Sequence, residues 1–445
     1  MPDSRFRPAR RPGRRQLCAF AGALTLLVLG ALLSAAWSST AAAGARASFY
    51  DWLPAQAQGA RGSMIRAEPM GGAPEGSRAW RILYRSTGLA GEPIAVSGVI
   101  VVPDGPAPAG GRPVVAWAHP TSGIVPRCAP SLALGVFRGI EGLPHMLARG
   151  WVVVATDYPG LGTRGPHPYL VGRSEGAAVL DSVRAARDFR PAQAGRLYQV
   201  WGHSQGGQAA LFAGLMAAGQ APDLQLRGIA AAAPATDLET LLRADFRTVG
   251  GRNLTAMTLW SWTRTFGLPL DGLVDPLAMP AVDALAHECI ESAFDMALRM
   301  VSQRGLQKHF LTVPDITRVE PWRSLLLENS PGPLPPGVPL LLTQGSADTL
   351  VLLSVTRMYA ARQCAAGGRV RLLVLPDAGH GFIARDSAEA AVEWMAARFA
   401  GSPAPDDCAA LSDPGPAADV STGGTDWDEQ TRTGTPGPTS QPPAY

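Results

Sequence analysis

Short apolar segments rich in Val, Ile and Leu recur along most of this chain of 445 residues. Most are continuously apolar, which is the pattern of strands buried on both faces of a sheet. Gly, Pro or Asp bounds them, as expected where strands end in turns. The segments are residues 94–102, 113–118, 151–156, 197–201, 228–233, 338–343 and 370–375. This one feature predicts a central sheet formed from much of the chain.

Stretches with helical spacing lie between these segments, at residues 174–189, 209–218, 354–366 and 387–399. In the first of them, Val179, Val183 and Ala186 share one face, and Ser174 is the expected N-cap. Strands that alternate with helices favour a parallel arrangement with helices on both faces. The sequence therefore predicts an α/β fold with a mostly parallel sheet.

The alternation stops between about residues 235 and 336, where the pattern is helical and no strand segment occurs. This insertion contains Leu259, Trp260, Trp262, Phe266 and Trp322. It ends in the segment Pro-Gly-Pro-Leu-Pro-Pro at 331–336, a stiff connector. We expect a helical cap that lies over the sheet.

The two ends of the chain differ from the rest. Residues 1–45 combine an arginine-rich start, an apolar stretch and a cluster of small residues, the layout of an export signal. The apolar stretch approaches the length of about 20 residues that spans a bilayer, so an uncleaved anchor is the alternative. Residues 411–445 are rich in Pro, Gly, Ser and Thr and predict a disordered tail. The predicted folded domain is thus residues 46–410.

Charge and cysteine content limit the possible functions. The net charge is +3, but residues 1–45 alone carry six Arg and one Asp, which leaves −2 for the remainder. A nearly neutral domain gives no electrostatic reason to bind nucleic acid. Beyond Cys18, four cysteines remain, and in an exported chain they predict two disulfides with three possible connectivities. No metal-ligand spacing and no phosphate-binding loop occur, so we expect neither a metal nor a cofactor.

The apolar segment 197–201 leads into Gly202-His203-Ser204-Gln205-Gly206-Gly207, after which a helical pattern begins. This is the motif G-x-S-x-G in its expected context of strand, sharp turn and helix. Gly202 and Gly206 allow neighbouring backbone to approach the turn closely. Ser204 is then exposed above the strand end, at a helix N-terminus whose dipole favours negative charge. The motif predicts a nucleophilic serine.

A serine nucleophile needs a base and an acid, which follow it in the order Ser, acid, His on this type of fold. Asp348 comes just after the strand segment 338–343, and His380 follows the segment 370–375 in a glycine-flanked loop. Both therefore lie beyond the carboxyl ends of parallel strands, where ligands gather. Asp377 is the alternative acid, although it is only three residues from His380. His203 is expected to be a buried structural histidine.

The tetrahedral intermediate of such a reaction needs two backbone N–H donors. One is expected from Gln205, the residue after the nucleophile. The other is expected from the loop His119-Pro120-Thr121-Ser122-Gly123, which follows the segment 113–118. Since Pro120 has no N–H group, Thr121 is the predicted donor.

Taken together, these motifs resemble the secretory lipase family, the α/β-hydrolases that include fungal lipase A-type enzymes and exported bacterial relatives. The resemblance covers about residues 47–410 and rests on residues 119–123, 128–131, 157–162, 166–169 and 202–207. Asp348 and His380 fall where the acid and the base of the family would. Pro120 stands where bacterial relatives usually carry glycine.

The resemblance implies a helical cap after the sixth core strand and the disulfides Cys128–Cys289 and Cys364–Cys408. It also implies hydrolysis of carboxylic esters, with triacylglycerols or other acyl esters as substrates and contact with a lipid interface. Trp260, Trp262 and Phe266 of the cap are candidates to line the acyl site, or else they form the core of the cap. The alternatives are an acyltransferase with the same triad and an inactive binding module; no protein partner is expected.

Overall fold

A computed structural model describes residues 49–246, 248–290 and 293–411. The chain divides into two compact units, residues 1–51 and 52–445, and everything below concerns the second. The predicted export signal and the predicted tail beyond Leu411 lie outside the described residues. Among the helices of the described ranges, none has the length and hydropathy needed to cross a bilayer.

The centre of the fold is a nine-stranded sheet with the order β1-β2-β3-β5-β4-β6-β7-β8-β9. Strands β4 to β9 run parallel to one another, whereas the pairs β1–β2, β2–β3 and β3–β5 at one side of the sheet are antiparallel. The strands are β1 Met64–Met70, β2 Ser77–Thr87, β3 Pro93–Pro103, β4 Arg112–Ala118, β5 Val152–Thr156, β6 Ala194–His203, β7 Gln225–Ala232, β8 Leu340–Gly345 and β9 Val370–Leu375. All seven predicted segments are strands, and the predicted mostly parallel sheet is confirmed.

The two strands that the sequence pattern missed are β1 and β2. Arginines interrupt the apolar residues of β2, and β1 is only partly buried, so neither forms a continuous apolar run. Half-exposed antiparallel strands at a sheet edge need no such run. Seven strands, these two included, precede the helical cap, which lies between β7 and β8.

Helices cover the sheet and form the insertion. They are α1 Pro54–Ala57, α2 Leu143–Ala148, α3 Gly172–Asp188, α4 Gln205–Gln220, α5 Leu238–Asp245, α6 Val249–Phe266, α7 Met279–His287, α8 Ala293–Ser302, α9 Gly305–Lys308, α10 Trp322–Glu328, α11 Leu353–Ala365, α12 Ile383–Asp386, α13 Ala388–Phe399 and α14 Cys408–Leu411. Helices α5 to α10 lie between β7 and β8, together with an isolated β-bridge between Val274 and Leu311. The insertion is therefore helical, and α14 extends to Leu411, the first residue of the predicted tail.

Helix α3 begins at Gly172, two residues before its predicted N-cap. Ser174 is not the cap: its hydroxyl is buried without a hydrogen-bond partner among the described residues. Instead, the Gly172 N–H donates to Asn329 Oδ1 at 3.0 Å, and the Leu170 N–H donates to Glu175 Oε1 at 2.9 Å. Groups at helix starts can be satisfied from distant segments, and a local sequence pattern cannot reveal this.

Two disulfides connect distant parts of the chain. Cys128, which follows β4, is bonded to Cys289 in the cap, and Cys364 of α11 is bonded to Cys408 of α14. These are the pairs that the resemblance implies, one of the three connectivities that the sequence alone allowed. The first bridge therefore ties the cap to the sheet, and the second closes the C-terminal side of the domain.

Candidate active site

Ser204 lies at the turn between β6 and α4, with φ 56° and ψ −118°. This backbone conformation is uncommon for a residue with a side chain, and it is held by close packing. A Cβ on Gly202 would lie 2.1 Å from the Gly206 carbonyl oxygen, and one on Gly206 would lie 1.9 Å from that of Ala118. Both positions therefore require glycine, as the motif predicts.

The structure brings Ser204, His380 and Asp348 together from three different loops. His380 Nε2 lies 2.8 Å from Ser204 Oγ, and His380 Nδ1 lies 2.8 Å from Asp348 Oδ2. Asp348 follows β8 and His380 follows β9, so both loops extend from the carboxyl edge of the sheet. Asp377 is exposed, and it is Asp348 that contacts the imidazole.

Several hydrogen bonds fix the carboxylate of Asp348, which is buried. Its Oδ1 accepts from the backbone N–H groups of Leu350 and Val351, at 2.9 and 2.8 Å. Its Oδ2 accepts from Gln344 Nε2 at 3.0 Å, and Gln344 is itself held by the Thr356 hydroxyl at 2.6 Å. The sequence analysis did not identify Gln344, because a glutamine within an apolar strand carries no motif.

His203 holds the loop that carries His380. Its Nε2–H donates to the His380 carbonyl oxygen at 3.0 Å, and the two rings lie 5.0 Å apart. Burial, with a smaller effect from the neighbouring His380, lowers the pKa of His203 to about 3. His203 is therefore a neutral buried histidine, in agreement with the expectation from sequence.

The loop from His119 to Gly123 lies directly against the serine turn, since a Cβ on Gly206 would also come within 2.6 Å of the His119 carbonyl oxygen. The Thr121 hydroxyl lies 3.0 Å from the Tyr169 hydroxyl, and the Ser122 carbonyl oxygen accepts from Ile290 N–H at 2.8 Å. Gln205 is the first residue of α4, so its N–H has no acceptor within the helix. The two predicted donor segments are thus neighbours.

A buried polar cluster supports the side chain of Gln205. Gln205 Nε2 lies 2.8 Å from both Glu175 Oε1 and His167 Nε2, and His167 Nδ1 lies 2.8 Å from the Pro159 carbonyl oxygen. A carbonyl accepts only, so His167 donates from Nδ1 and accepts at Nε2 from the Gln205 amide. Glu175 was missed by the sequence analysis, while His167 belongs to the motif at 166–169 that carried the resemblance.

The pocket beside Ser204 is small and mostly apolar. Its volume is about 40 Å³, which leaves room for a few water molecules. Ser204, the predicted nucleophile, and His380, the predicted base, line it, and helices α5 and α6 of the cap cover it. Its apolar walls are formed by Leu170, Ala235, Leu238, Leu241, Leu242, Leu254, Leu350 and Val351.

Trp260, Trp262 and Phe266, the predicted acyl-site residues, do not line this pocket. Trp262 is fully buried, stacks on Trp322 and donates from Nε1 to the Tyr169 carbonyl oxygen at 2.8 Å. Phe266 packs edge-on against Trp262, and Trp260 donates to Asp283 at 2.9 Å. In this conformation these aromatic residues form the core of the cap, the alternative that the sequence left open.

A mostly parallel sheet, a serine at the turn after a central strand, and an acid and a histidine after the next strands define an α/β-hydrolase. The model of the secretory lipase family matches residues 140–407, more than half of the chain, and includes Ser204, Asp348 and His380. The chain belongs to the secretory lipase family and is a carboxylic ester hydrolase of that family. The predicted resemblance is confirmed.

Two similar proteins and a similar crystal structure illustrate this assignment. A Mycobacterium tuberculosis protein named "Probable inactive lipase" is 27% identical over 76% of this chain and 77% of its own. Lipase 10 of Candida albicans is 25% identical over 74% of each chain. The crystal structure of Candida antarctica lipase A has a TM-score of 0.66 and 18% identity, with 81% of this chain and 87% of that chain covered. At that identity, the likeness shows the fold.

Proposed function

We propose that this protein is an exported lipase or esterase that cleaves carboxylic esters through a Ser204–His380–Asp348 triad and an acyl-enzyme intermediate. One observation carries the proposal: the continuous chain of hydrogen bonds from Ser204 Oγ through both imidazole nitrogens to Asp348, with 2.8 Å at each step. This is the arrangement in which a base activates a serine and a carboxylate orients the base.

The reaction begins when Ser204 Oγ attacks the ester carbonyl carbon and its proton passes to His380 Nε2. The oxyanion accepts from the backbone N–H groups of Gln205 and Thr121. His380 then returns the proton to the alcohol as the C–O bond breaks, and the acyl group stays on Ser204. Water attacks the acyl-enzyme by the same route and releases the carboxylic acid. The Asp348 carboxylate orients the imidazole and stabilises the imidazolium.

The test is removal of the Ser204 hydroxyl. Ser204→Ala should lower kcat for a soluble acyl ester by at least about a thousandfold, as triad knockouts do in other hydrolases. A fluorophosphonate probe should label the wild type and fail to label the variant. Wild-type turnover in Ser204→Ala would refute the triad.

The same probe separates an active enzyme from an inactive binding module, which is relevant because one relative is named as probably inactive. A wild-type chain that neither reacts with the probe nor hydrolyses esters would favour the binding module. An acyltransferase would form the labelled serine but transfer its acyl group to an added alcohol in preference to water. Product analysis with and without that alcohol distinguishes the two.

The surroundings of the triad support a proposal for the substrate class. The leucines of α5 and α6 beside Ser204 favour an aliphatic acyl group, as in a triacylglycerol.

Helix α8 exposes Phe294, Leu298 and Val301 on one face, with 71%, 38% and 61% of each residue accessible. A single apolar helix face on the cap suits contact with a lipid surface. Serine at these three positions should reduce turnover of an emulsified ester more than that of a dissolved one.

Export is proposed from the predicted signal in residues 1–45 and is supported by the two disulfides, which persist in oxidising compartments. Mass spectrometry of the protein recovered from the producing cells and from their medium tests it. Cleavage near residue 45 and recovery in the medium are expected. An intact N-terminus in the membrane fraction would instead favour the anchor.

A further inference from the structure

A second cavity is lined by residues of the loop that runs from His119 to Gly123. Its volume is about 620 Å³, which is within the range of small-molecule sites and far larger than the pocket beside Ser204. Three side chains on adjacent strands form its floor: Val99 of β3, Trp117 of β4 and Ala155 of β5. We call it the loop cavity.

The walls of the loop cavity are largely apolar. Besides the floor, Pro130, Ala133, Val136, Ile140 and Ile290 line it. Leu134, also a lining residue, is 95% exposed, so an apolar side chain stands where the cavity meets solvent. Ionisable side chains line it as well: Arg138, which is exposed, Asp295, and His119, which is buried. Asp157 also lines it, but its carboxylate already accepts hydrogen bonds from the hydroxyl groups of Ser97 and Ser131.

A side-chain hydrogen bond joins a lining residue of the loop cavity to a lining residue of the pocket beside Ser204. Thr121 lines the loop cavity, Tyr169 lines the Ser204 pocket, and their hydroxyl groups lie 3.0 Å apart. Tyr169 is almost completely buried, and its backbone N–H and carbonyl are held by Ser261 and Trp262 of the cap. The hydroxyl pair, which we call the partition, therefore links a residue held by the cap to the loop His119–Gly123.

We propose that the loop cavity binds an aliphatic chain of the ester, which reaches it when the Thr121–Tyr169 hydrogen bond opens. This inference rests on the proposed function and extends it. The pocket beside Ser204 holds only a few water molecules, whereas an ester with hydrocarbon on either side of its carbonyl needs far more apolar volume. The loop cavity supplies that volume next to the proposed oxyanion donors.

The first test fills the cavity. Ala155→Phe adds a ring from the floor, and Ala133→Phe adds one at another lining residue should the first variant fail to fold. The control is Ala390→Phe, which makes the same change at an exposed position of α13. The measured quantity is the long-to-short ratio, which is kcat/KM for a long-chain ester divided by kcat/KM for the acetate ester. Filling should lower this ratio by at least about tenfold, since even one methylene group in a pocket contributes roughly that factor. Ala390→Phe should leave it unchanged.

Two ester series identify the chain that binds. One varies the acyl group with a constant alcohol, and the other varies the alcohol of acetate esters. A ratio that falls only in the first series places the acyl chain in the loop cavity, and a fall only in the second places the alcohol chain there. Either result supports the inference, and an unchanged ratio in both series for both filled variants overturns it.

The second test opens the partition. Thr121→Val and Tyr169→Phe each remove one hydroxyl and keep the backbone, so each should raise the long-to-short ratio. Because both break one hydrogen bond, the double variant should add little to either single variant. Fully additive effects, or no effect, would refute the partition. If the acetate ester is hydrolysed only when Ser204 is present and these ratios do not move, then this inference alone fails and the proposed function stands.

Discussion

His203 donates a hydrogen bond from its side chain to the backbone carbonyl of His380, 3.0 Å away. The residue before the proposed nucleophile thus fixes the loop that carries the proposed base. The serine and the histidine are set 2.8 Å apart by this contact as well as by their own hydrogen bond. Displacement of a reacting group by about 1 Å can reduce a rate about a hundredfold.

Replacement of His203 should therefore impair catalysis without removing any member of the triad. For His203→Phe, which keeps a ring but loses the N–H, we expect kcat to fall by roughly ten- to a hundredfold, with a smaller effect on KM. Steady-state kinetics on a soluble ester measure both constants. His145→Phe, at an exposed position of α2, is the control. An unchanged kcat in His203→Phe would show that the loop needs no such support.

The same histidine predicts how stability depends on pH. Burial lowers the pKa of His203 to about 3 and that of His119 to about 4, from an ordinary value of 6.5. Between about pH 6.5 and 4, the unfolded chain binds protons that the folded protein does not. The free energy of unfolding therefore decreases as the pH falls, by up to roughly 1.4 kcal/mol per pH unit for each histidine.

Denaturant unfolding at pH 7, 6 and 5 measures this slope. Burial also raises the pKa of Asp157 and Asp181, which stabilises the folded protein at low pH and opposes the effect near pH 4. The comparison of His203→Phe with the wild type isolates the histidine, because the carboxyl groups are common to both. The variant should have the shallower slope, and equal slopes would contradict the lowered pKa.

Gly206 should tolerate no side chain. A Cβ there would lie 1.9 Å from the Ala118 carbonyl oxygen, so Gly206→Ala must displace either the loop after β4 or the serine turn. We expect loss of esterase activity and destabilisation by roughly 2 kcal/mol or more, as overpacking commonly produces. Activity and thermal unfolding of the purified variant measure the two effects.

The same helix supplies a matched control. At Gly219 of α4, a Cβ would meet no described atom within 4 Å. Gly219→Ala should retain activity and gain about 0.5–1 kcal/mol, because alanine is the better helix former. If Gly206→Ala behaved like Gly219→Ala, the close approach of the loop would be excluded.

The Cys128–Cys289 bridge should affect aggregated and dissolved substrates differently. Cys289 lies just ahead of helix α8, and the neighbouring Ile290 donates to the carbonyl oxygen of Ser122. Without the bridge, the cap loses a fixed point, so Cys128→Ala with Cys289→Ala should reduce turnover of an emulsion more than that of a soluble ester. Removal of Cys364–Cys408 is the control for the general loss of stability, about 2–5 kcal/mol for either bridge. Equal losses on both substrates would refute this role.

The parts of the fold that the sequence predicts are those with a continuous local signal. Strands β3 to β8 contain continuous buried apolar runs, β9 is an apolar run that is partly buried, and the serine motif follows directly after β6. The loops with Asp348 and His380 could be found because strand ends at one sheet edge converge. Strand β2 was missed because its arginines interrupt the run of apolar side chains.

The features that the sequence does not reveal are mostly polar contacts between residues that are far apart in the chain. Glu175 reaches Gln205 across 30 residues, and Thr121 reaches Tyr169 across 48. Neither pair has a spacing that local geometry dictates. Helical spacing showed that the aromatic residues of α6 share one face of the helix. It could not show which other part of the chain contacts that face. Trp322, from a different helix, covers Trp262.

The C-terminal bridge also determines how a pulling force would pass through the domain. Cys408 is bonded to Cys364 of α11, and the adjacent Asp407 hydrogen-bonds to Val370 and Leu372 of β9. A tether or a fused partner attached beyond Leu411 would load this covalent link before it could peel the edge strand away. The loop that carries His380, which follows that strand, would be shielded from the strain.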